Sequence, residues 1–412
     1  MAMNPQFNCK QTILHALISL LLFFLIEAPA IGFAETMAGD RFSPQLNTVH
    51  LFSDSLAAVR IGKHFGFINK HGKIVITPQF DEASDFSEGV AAVKINGRYG
   101  FIDKEGAMSF VPQFSVAHDF ANGRAAIVVA DTRENHVFVD KQSRILINKQ
   151  FGATPGFKKN MTRVDIGEFS AGKFGFIDRK GRLIVLPQFD VAQDFSEGLA
   201  AVRLGDDRSG KFGFINTDGK MVTVFQFDAV NRFKDGLAAV RFGDTLTGKW
   251  GVIDRRGRLV INPVFDEIGI FSEGFAVAKT GNHSMFIDRQ GKNIFNLTFD
   301  DLSVFSEGVA AVKVGHQYGF IDKKGRMVIR PQFLEAYPFS EGLALVKVGN
   351  LYGYIDREGA MVIKPNFVAA EGFSEGLAKI IITEGDKNTI GFINKQGGVV
   401  ITITFTEEYS TL

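Results

Sequence analysis

Three short segments have the residue types that could bind phosphate. They match the pattern G-x-x-x-x-G-K, the core of a nucleotide-binding P-loop, and run from Gly167 to Lys173, from Gly205 to Lys211 and from Gly243 to Lys249. A P-loop also needs Ser or Thr after the lysine and a helix whose N-terminus faces the phosphates. Here an aromatic residue follows the lysine and begins a predicted strand: Phe174, Phe212 or Trp250. We therefore interpret the segments as lengthened hairpin loops and expect no cofactor.

These loops are nevertheless the best candidates for a binding surface, because function tends to collect on loops held by a rigid scaffold. If neighbouring repeats stack, the three loops lie side by side. A tolerated surface insertion is the alternative interpretation. The candidate binding residues are Asp206, Asp207, Arg208, Lys211, Asp244, Lys249 and Trp250.

Recurrent carboxylates are the second group that could do chemistry. A glutamate recurs in the motif F-S-E-G, at positions Glu88, Glu197, Glu273, Glu307, Glu341 and Glu375. One residue type at one place of a repeat indicates turn chemistry or surface solvation rather than a metal or glycosidase site. A carbohydrate-active hydrolase would need a carboxylate set that breaks the repeat, for which Asp206, Asp207 and Asp244 are the nearest candidates. No nucleophile or base accompanies them, so we expect no enzyme and no catalytic residue.

Other site chemistries have little support in the composition. The eight histidines form no H-x-x-x-H pair, and Cys9 is the only cysteine, so no metal site is expected. The formal charge is +1, whereas nucleic-acid binding needs a clustered excess of Lys and Arg. We expect no nucleic-acid partner.

The elements that must position the loops come from an internal repeat. Successive copies begin 34 to 38 residues apart, at Phe52, Phe86, Phe120, Phe157, Phe195, Phe233, Phe271, Phe305, Phe339 and Phe373. A fixed period in this range is typical of repeat architectures. We number the ten copies as modules 1 to 10.

Each module is predicted to be a three-stranded antiparallel meander. In module 8, Val309 to Val314 and Tyr318 to Asp322 are strand candidates, and an Asp-x-x-Gly turn follows. The third strand is expected to end at Pro331, because proline has no N–H to donate to a ladder. A short fourth strand after the Pro-Gln-Phe segment is also possible.

The strands are apolar at successive positions, as in Leu199 to Val202, which predicts that neighbouring modules cover both faces of each sheet. The phenylalanine of F-S-E-G is interpreted as the plug between adjacent modules. The fold class is therefore all-β. A propeller-like ring is slightly favoured over an open β superhelix or solenoid, because a recurrent Ala-Ala pair suits a strand where space is tight.

The second strand of each module resembles the WG-repeat (KWG-repeat) family. The family signature is an aromatic residue and Gly, an apolar pair, Asp and a glycine turn. Its aromatic-glycine pairs here are Phe65-Gly66, Tyr99-Gly100, Phe174-Gly175, Phe212-Gly213, Trp250-Gly251, Tyr318-Gly319 and Tyr352-Gly353. Only module 6 keeps the Trp, and Ile390-Gly391 has lost the aromatic residue. The resemblance implies an all-β repeat fold with a binding or interaction role and no transferable catalytic residues.

The first 34 residues resemble a secretory signal peptide. Lys10 precedes an apolar run from Thr12 to Ile26. Small residues follow this run, and cleavage is expected directly after one of them, Ala34. Residues 35–51 are interpreted as a linker, 52–405 as the repeat domain and 406–412 as a tail. An uncleaved membrane anchor is the alternative for residues 1–34.

These patterns predict an exported (periplasmic, cell-surface or secreted), non-enzymatic binding scaffold. Its partner would be a protein or a cell-envelope glycan, with no membrane contact after signal cleavage. The alternatives are the hydrolase described above and a membrane-tethered assembly factor.

Overall fold

The computed structural model describes residues 49–129, 136–142, 144–151, 161–166, 173–295, 297–384 and 387–403. Every regular element in these ranges is a β-strand, which confirms the all-β prediction. The same ranges contain no helix long and apolar enough to cross a membrane. The predicted signal peptide, most of the linker, the start of module 4 at Phe157, the loop at 167–172 and the C-terminal tail lie outside the described residues.

Each module contributes a hairpin made of a first and a second strand. The first strands are Leu56–Ile61, Val90–Ile95, Arg124–Val129, Met161–Ile166, Leu199–Leu204, Leu237–Phe242, Ala276–Thr280, Val309–Val314, Ala344–Val348 and Leu377–Glu384. The second strands are His64–Asn69, Arg98–Asp103, His136–Asp140, Lys173–Asp178, Lys211–Asn216, Lys249–Asp254, His283–Ile287, Gln317–Asp322, Leu351–Ile355 and Lys387–Asn394. They pair antiparallel, for example with Val309 opposite Asp322 and Val314 opposite Gln317.

A third strand and a short strand complete the sheets. The third strands are Ile74–Phe80, Met108–Ala117, Ile145–Phe151, Leu183–Phe189, Leu259–Phe265, Met327–Phe333, Met361–Phe367 and Val399–Ile403. In modules 5 and 7, isolated bridges to the second strand take its place. The short strands are Glu82–Ala83, Val191–Ala192, Ala229–Val230, Glu267–Ile268, Asp301–Leu302, Glu335–Ala336 and Ala369–Ala370.

The short strand that follows Pro-Gln-Phe is present, and it belongs to the next module. Glu335 and Ala336 follow the third strand of module 8 yet pair with Lys347 and Val346 of module 9. Between modules 2 and 3 the two strands merge into Met108–Ala117, which gives one seven-stranded sheet. The chain therefore passes directly from one sheet into the next.

The prediction that the third strand ends at proline is wrong. The strand Met327–Phe333 runs through Pro331, with Phe320 opposite Ile329 and Tyr318 opposite Phe333. The register shift between these pairs is a bulge, and a bulge removes the need for a donor at proline. Gly319 lies opposite this bulge, where a Cβ would approach the Ile329 oxygen to 2.4 Å. The glycine of the aromatic-glycine pair is thus required by a close backbone approach.

The F-S-E-G motif is a two-residue hairpin turn. In module 2, Ser87 and Val90 exchange both backbone hydrogen bonds around Glu88 (φ 53°) and Gly89 (φ 85°). Positive φ at both central residues is the geometry whose twist matches the flanking strands. Glycine adopts it freely, whereas a glutamate in the left-handed region costs about 1–2 kcal/mol.

Apolar contacts between modules form the core. Alternate residues of a first strand face opposite neighbours: Ala58 packs with module 2, and Ala57 packs with module 10. The prediction of two dry faces is therefore confirmed. The F-S-E-G phenylalanine acts as the predicted plug, since the ring of Phe86 lies edge-on to Phe67 of the preceding module with centroids 4.8 Å apart.

The first and last modules contact each other. Phe52 and Ile68 of module 1 share an apolar cluster with Ile381 and Phe392 of module 10, and the Phe52 and Phe392 rings lie 5.0 Å apart. Among the described residues, nine further clusters join the successive modules between them. This contact between the ends favours the ring over the open superhelix.

Candidate binding loops

Every module has two edges that differ in their connections. The turn edge carries the F-S-E-G turn and the Asp-x-x-Gly turn, because the start of the first strand pairs with the end of the second, as Val90 does with Asp103. The loop edge carries the hairpin loop between these strands. The lengthened segments of modules 5 and 6 are hairpin loops, so these two lie on the loop edge.

The recurrent glutamates of the turn edge join neighbouring modules. The Glu88 carboxylate accepts hydrogen bonds from the backbone N–H of Gly123 in module 3, at 2.8 Å, and of Asn122. Lys141 of module 3 lies 3.4 Å from the same carboxylate. These glutamates therefore link the turns of successive modules by hydrogen bonds, and we call each such link a latch. This agrees with the interpretation of the recurrent glutamates as turn residues.

The loop of module 5 spans residues 205–210 and is held by one aspartate. Asp206 Oδ1 accepts hydrogen bonds from the backbone N–H of Arg208 and Ser209, at 3.0 and 2.7 Å, and from Ser209 Oγ at 2.8 Å. The bonds from Ser209 and Arg208 lower the pKa of Asp206. Asp207, the next residue, forms an ion pair with Arg203. Both carboxylates thus have roles within the hairpin.

The loop of module 6 spans residues 243–248 and repeats this construction. Asp244 Oδ1 accepts hydrogen bonds from the backbone N–H of Leu246 and Thr247, at 2.8 and 2.7 Å, and from Thr247 Oγ1 at 3.1 Å. These bonds lower the pKa of Asp244. A glycosidase acid needs a raised pKa, so Asp206 and Asp244 are shifted in the wrong direction for that role.

The two lysines and the tryptophan of the candidate set are used in local contacts. Lys211 forms an ion pair with Asp228, and Lys249 forms one with Asp266. Trp250 is half-buried, and the Arg241 guanidinium lies over its ring, 5.8 Å from the centroid. A cation over an indole face is an attractive contact, so this ring is a packing element of module 6.

The structure fixes the two loops relative to each other. Asp228 binds the ammonium group of Lys211 in module 5 with Oδ1 and accepts the backbone N–H of Gly243 in module 6 with Oδ2, at 2.8 Å. Asp228 therefore joins the end of the loop in module 5 to the start of the loop in module 6. The third loop, at 167–172, lies outside the described residues.

The tip of each of these two loops carries an exposed side chain. Aligning the loops from their first glycines places Arg208 and Leu246 at the same position, the third after Gly205 or Gly243. Arg208 is exposed, and the Leu246 side chain is 93% exposed. Leu246 is absent from the sequence-based candidates; the signal that could have found it is a lone aliphatic residue in the polar segment GDTLTG.

Metal chemistry has no support at these loops. Across the part of the chain that the structure describes, no group of three or more His, Cys, Asp and Glu side chains could hold a metal ion. The loops offer instead an exposed cation and an exposed aliphatic group on two turns that are held by internal hydrogen bonds.

Solved structures similar to this chain share little sequence with it. One is the extracellular domain of a hybrid two-component system from B. thetaiotaomicron, with 10% identity, a TM-score of 0.26 and coverage of 88% of this chain and 59% of that one. Another is dipeptidyl peptidase 4 of Porphyromonas gingivalis, with 10% identity, a TM-score of 0.43 and coverage of 78% and 59%. This chain thus spans less than two thirds of either protein chain.

No curated protein matches the chain. A family model, in contrast, matches it repeatedly. The family model of the WG containing repeat matches eight segments: residues 65–99, 99–131, 174–206, 212–245, 250–282, 285–315, 318–352 and 352–382. Together these segments cover more than half of the chain, and each begins at or near the aromatic-glycine position of a second strand. The chain belongs to the family of WG-containing repeat proteins.

Proposed function

We propose that the protein is an exported, non-enzymatic scaffold that binds a partner protein through the loops of modules 5 and 6. The observation that carries the proposal is the pair of equivalent, internally hydrogen-bonded loops with Arg208 and Leu246 at their tips. An arginine and an apolar anchor on a preorganised surface lose little entropy on binding and are frequent in protein interfaces. The partner surface would offer an apolar pocket with a carboxylate beside it.

The proposal of a non-enzymatic role is supported by the positions of three carboxylates. Asp206 and Asp244 are used within their own loops, and Asp207 is paired with Arg203. None of these three candidates for the hydrolase alternative is therefore set aside for acid catalysis. Hydrolysis of an envelope glycan that is abolished by Asp206→Asn or Asp244→Asn would restore this alternative.

Export is proposed from the sequence of residues 1–34. N-terminal sequencing of the exported protein tests it, with a new N-terminus at Glu35 as the expected result. A retained apolar segment would instead support the membrane-tethered assembly factor.

The binding proposal is tested with Leu246→Ser, Arg208→Ser and the double variant. Each is compared with His316→Ser, which changes an exposed residue of the short hairpin loop in module 8. We expect the double variant to recover at least tenfold less partner from an envelope fraction, about 1.4 kcal/mol of binding free energy, at an unchanged melting temperature. Equal recovery by the double variant and His316→Ser would exclude the loops as the binding site.

A further inference from the structure

Modules 8 and 9 break the repeat by concentrating tyrosine. Four of the six tyrosines of the chain occur there: Tyr318, Tyr337, Tyr352 and Tyr354. Tyr318 and Tyr352 occupy the aromatic position of the aromatic-glycine pair, where modules 1, 4 and 5 have phenylalanine. Tyr337 takes the place of a small polar residue, such as Ser303 in module 8. A departure that affects three positions in two adjacent modules indicates a local role.

Three of these four phenol groups converge on two carboxylates. Tyr318 donates to Asp301 at 2.6 Å, while Tyr337 and Tyr352 both donate to Glu335, at 2.9 and 2.8 Å. The rings of Tyr337 and Tyr352 are tilted, with centroids 6.5 Å apart. We call these three tyrosines, with Asp301 and Glu335, the tyrosine cluster.

The cluster is open to solvent at the loop edge. Its five side chains are all partly exposed, and Tyr318 comes directly after the exposed hairpin residues His316 and Gln317. Each phenol donates its proton to a carboxylate, and a phenol oxygen can in addition act as a hydrogen-bond acceptor. The ring surfaces add apolar contact area beside these polar groups.

The charges of the cluster are balanced. Lys347 lies 2.9 Å from Glu335, and the Lys313 ammonium lies over the Tyr318 ring, 5.6 Å from its centroid. Burial and the hydrogen bond to Asp301 raise the pKa of Tyr318, so its hydroxyl stays protonated at physiological pH. With two carboxylates and two ammonium groups, the cluster has no excess charge to attract a phosphate or a free cation.

We propose that the tyrosine cluster is a binding site for a neutral carbohydrate. The tyrosine rings would contact the apolar face of a sugar ring. The phenol oxygens, the carboxylates and the ammonium groups would hydrogen-bond its hydroxyl groups. The combination of apolar surface with a few convergent polar groups is that of a small-molecule site. The site is separate from the loops of modules 5 and 6.

Module 2 provides a matched control in the same chain. Tyr99 there donates to Glu82, and Lys94 lies 2.7 Å from Glu82 and 5.1 Å from the Tyr99 ring centroid. This arrangement repeats the contacts of Tyr352 and Lys347 with Glu335. It has no neighbouring tyrosine, because Ser84 occupies the position equivalent to Tyr337. A role limited to stabilising a module would affect both places alike, whereas a ligand site needs the cluster.

The test is calorimetric titration of the mature chain with neutral hexasaccharides of glucose (α-1,4 and β-1,4), of xylose and of N-acetylglucosamine. We expect at least one of them to bind, and Tyr337→Ser to weaken that binding about tenfold, the equivalent of about 1.4 kcal/mol. Tyr99→Phe should bind like the unmodified protein. Since Ser occupies the equivalent place in modules 2 and 8, Tyr337→Ser is compatible with the fold.

Several outcomes would overturn the proposal. They are binding of none of the hexasaccharides, equal affinity of Tyr337→Ser and the unmodified protein, or an equal loss in Tyr99→Phe. Should Tyr337→Ser melt at a lower temperature, the double variant Tyr318→Phe and Tyr352→Phe carries the test, because phenylalanine fills these places in other modules. The double variant at Arg208 and Leu246 should retain sugar binding, so failure of one proposal leaves the other measurable.

Discussion

The Glu375 carboxylate, near the end of the chain, accepts a hydrogen bond of 3.0 Å from the backbone N–H of Ser55, near its beginning. The same bond joins successive modules, as between Glu307 and the N–H of Gly342 at 3.1 Å. Lys70 of module 1 also contacts Glu375 at 3.0 Å, as turn cations do elsewhere. Module 1 thus receives from module 10 the latch that modules 2, 5, 7, 8 and 9 give to their successors.

This equivalence predicts that a latch between the ends is worth as much as an internal one. Glu375→Ala and Glu341→Ala should lower the free energy of unfolding by similar amounts, about 1 kcal/mol each, because both remove a charge-assisted hydrogen bond at a partly exposed site. Urea unfolding of the two variants provides the measurement. A measurable loss in Glu341→Ala with none in Glu375→Ala would contradict the contact between the ends.

Because of the bulge opposite Gly319, adding a single methyl group at this residue should lower the stability of the protein strongly. Gly319→Ala should destabilise the protein by about 3 kcal/mol or more, because the Cβ would lie 2.4 Å from the Ile329 oxygen and 2.7 Å from the Pro331 nitrogen. Gly315→Ala is the control: it has positive φ but no atom within 4 Å of its Cβ, so only the backbone cost of about 1–2 kcal/mol applies. Equal melting temperatures for the two variants would show that the close approach is unimportant.

The latches predict a loss of stability in acid. Burial opposes ionisation of Glu88, but hydrogen bonds from Gly123 and Asn122, together with Lys141, outweigh it and lower the pKa below its ordinary value of 4.5. Burial also opposes ionisation of Glu273, where Lys323 and the N–H of Gly308 lower the pKa. A lowered folded-state pKa means that the stabilisation is complete above the unfolded-state value and is lost as pH falls through the folded-state value.

The melting temperature should therefore be nearly constant from pH 6 to 8 and decrease below about pH 4.5. The double variant Glu88→Gln and Glu273→Gln keeps an oxygen acceptor without titrating, so its melting temperature should decrease less steeply between about pH 5 and 3. Parallel curves for this variant and the unmodified protein would exclude these glutamates as a source of the acid sensitivity.

The contact between the ends of the array includes a buried lysine, Lys379, whose replacement should lower the stability of the protein. Lys379 replaces the alanine that the first strands of modules 1, 2, 3, 5, 6 and 8 have at this place. It is buried, and its ammonium lies 3.1 Å from both the Val49 oxygen and Glu371. Lys379→Met should cost about 2–4 kcal/mol, because it leaves a carboxylate and a carbonyl without their donor. Adding Glu371→Gln should recover part of this loss in urea unfolding. No loss in the single variant would show that the ion pair contributes little.

Elements specified by neighbouring residues could be predicted from the sequence. The Asp-x-x-Gly turns, the hairpins and the strands depend on contacts over a few positions, such as the hydrogen bonds that Asp103 Oδ1 accepts from the N–H of Glu105 and Ala107. The repeat period and the apolar pattern also predicted that modules cover one another. The third strand was the exception, because the bulge that accommodates Pro331 depends on its partner strand.

The candidate sites depended on distances that no local pattern contains. Asp206 and Asp244 looked available in the sequence, but each folds back on its own loop, which leaves Arg208 and Leu246 at the tips. The tyrosine cluster joins residues that are 17 positions apart, as Tyr352 and Glu335 are, through pairing of strands from successive modules.

From its sequence alone, the chain had to be a tandem array of small β modules, because turn residues and apolar periodicity act over short distances and recur ten times. Only the tertiary structure decided how the modules are joined. The reach of Glu375 to Ser55 depends on a small rotation between modules that is summed over the whole array. Such a sum is set by side-chain packing at every interface and has no signature within any single repeat.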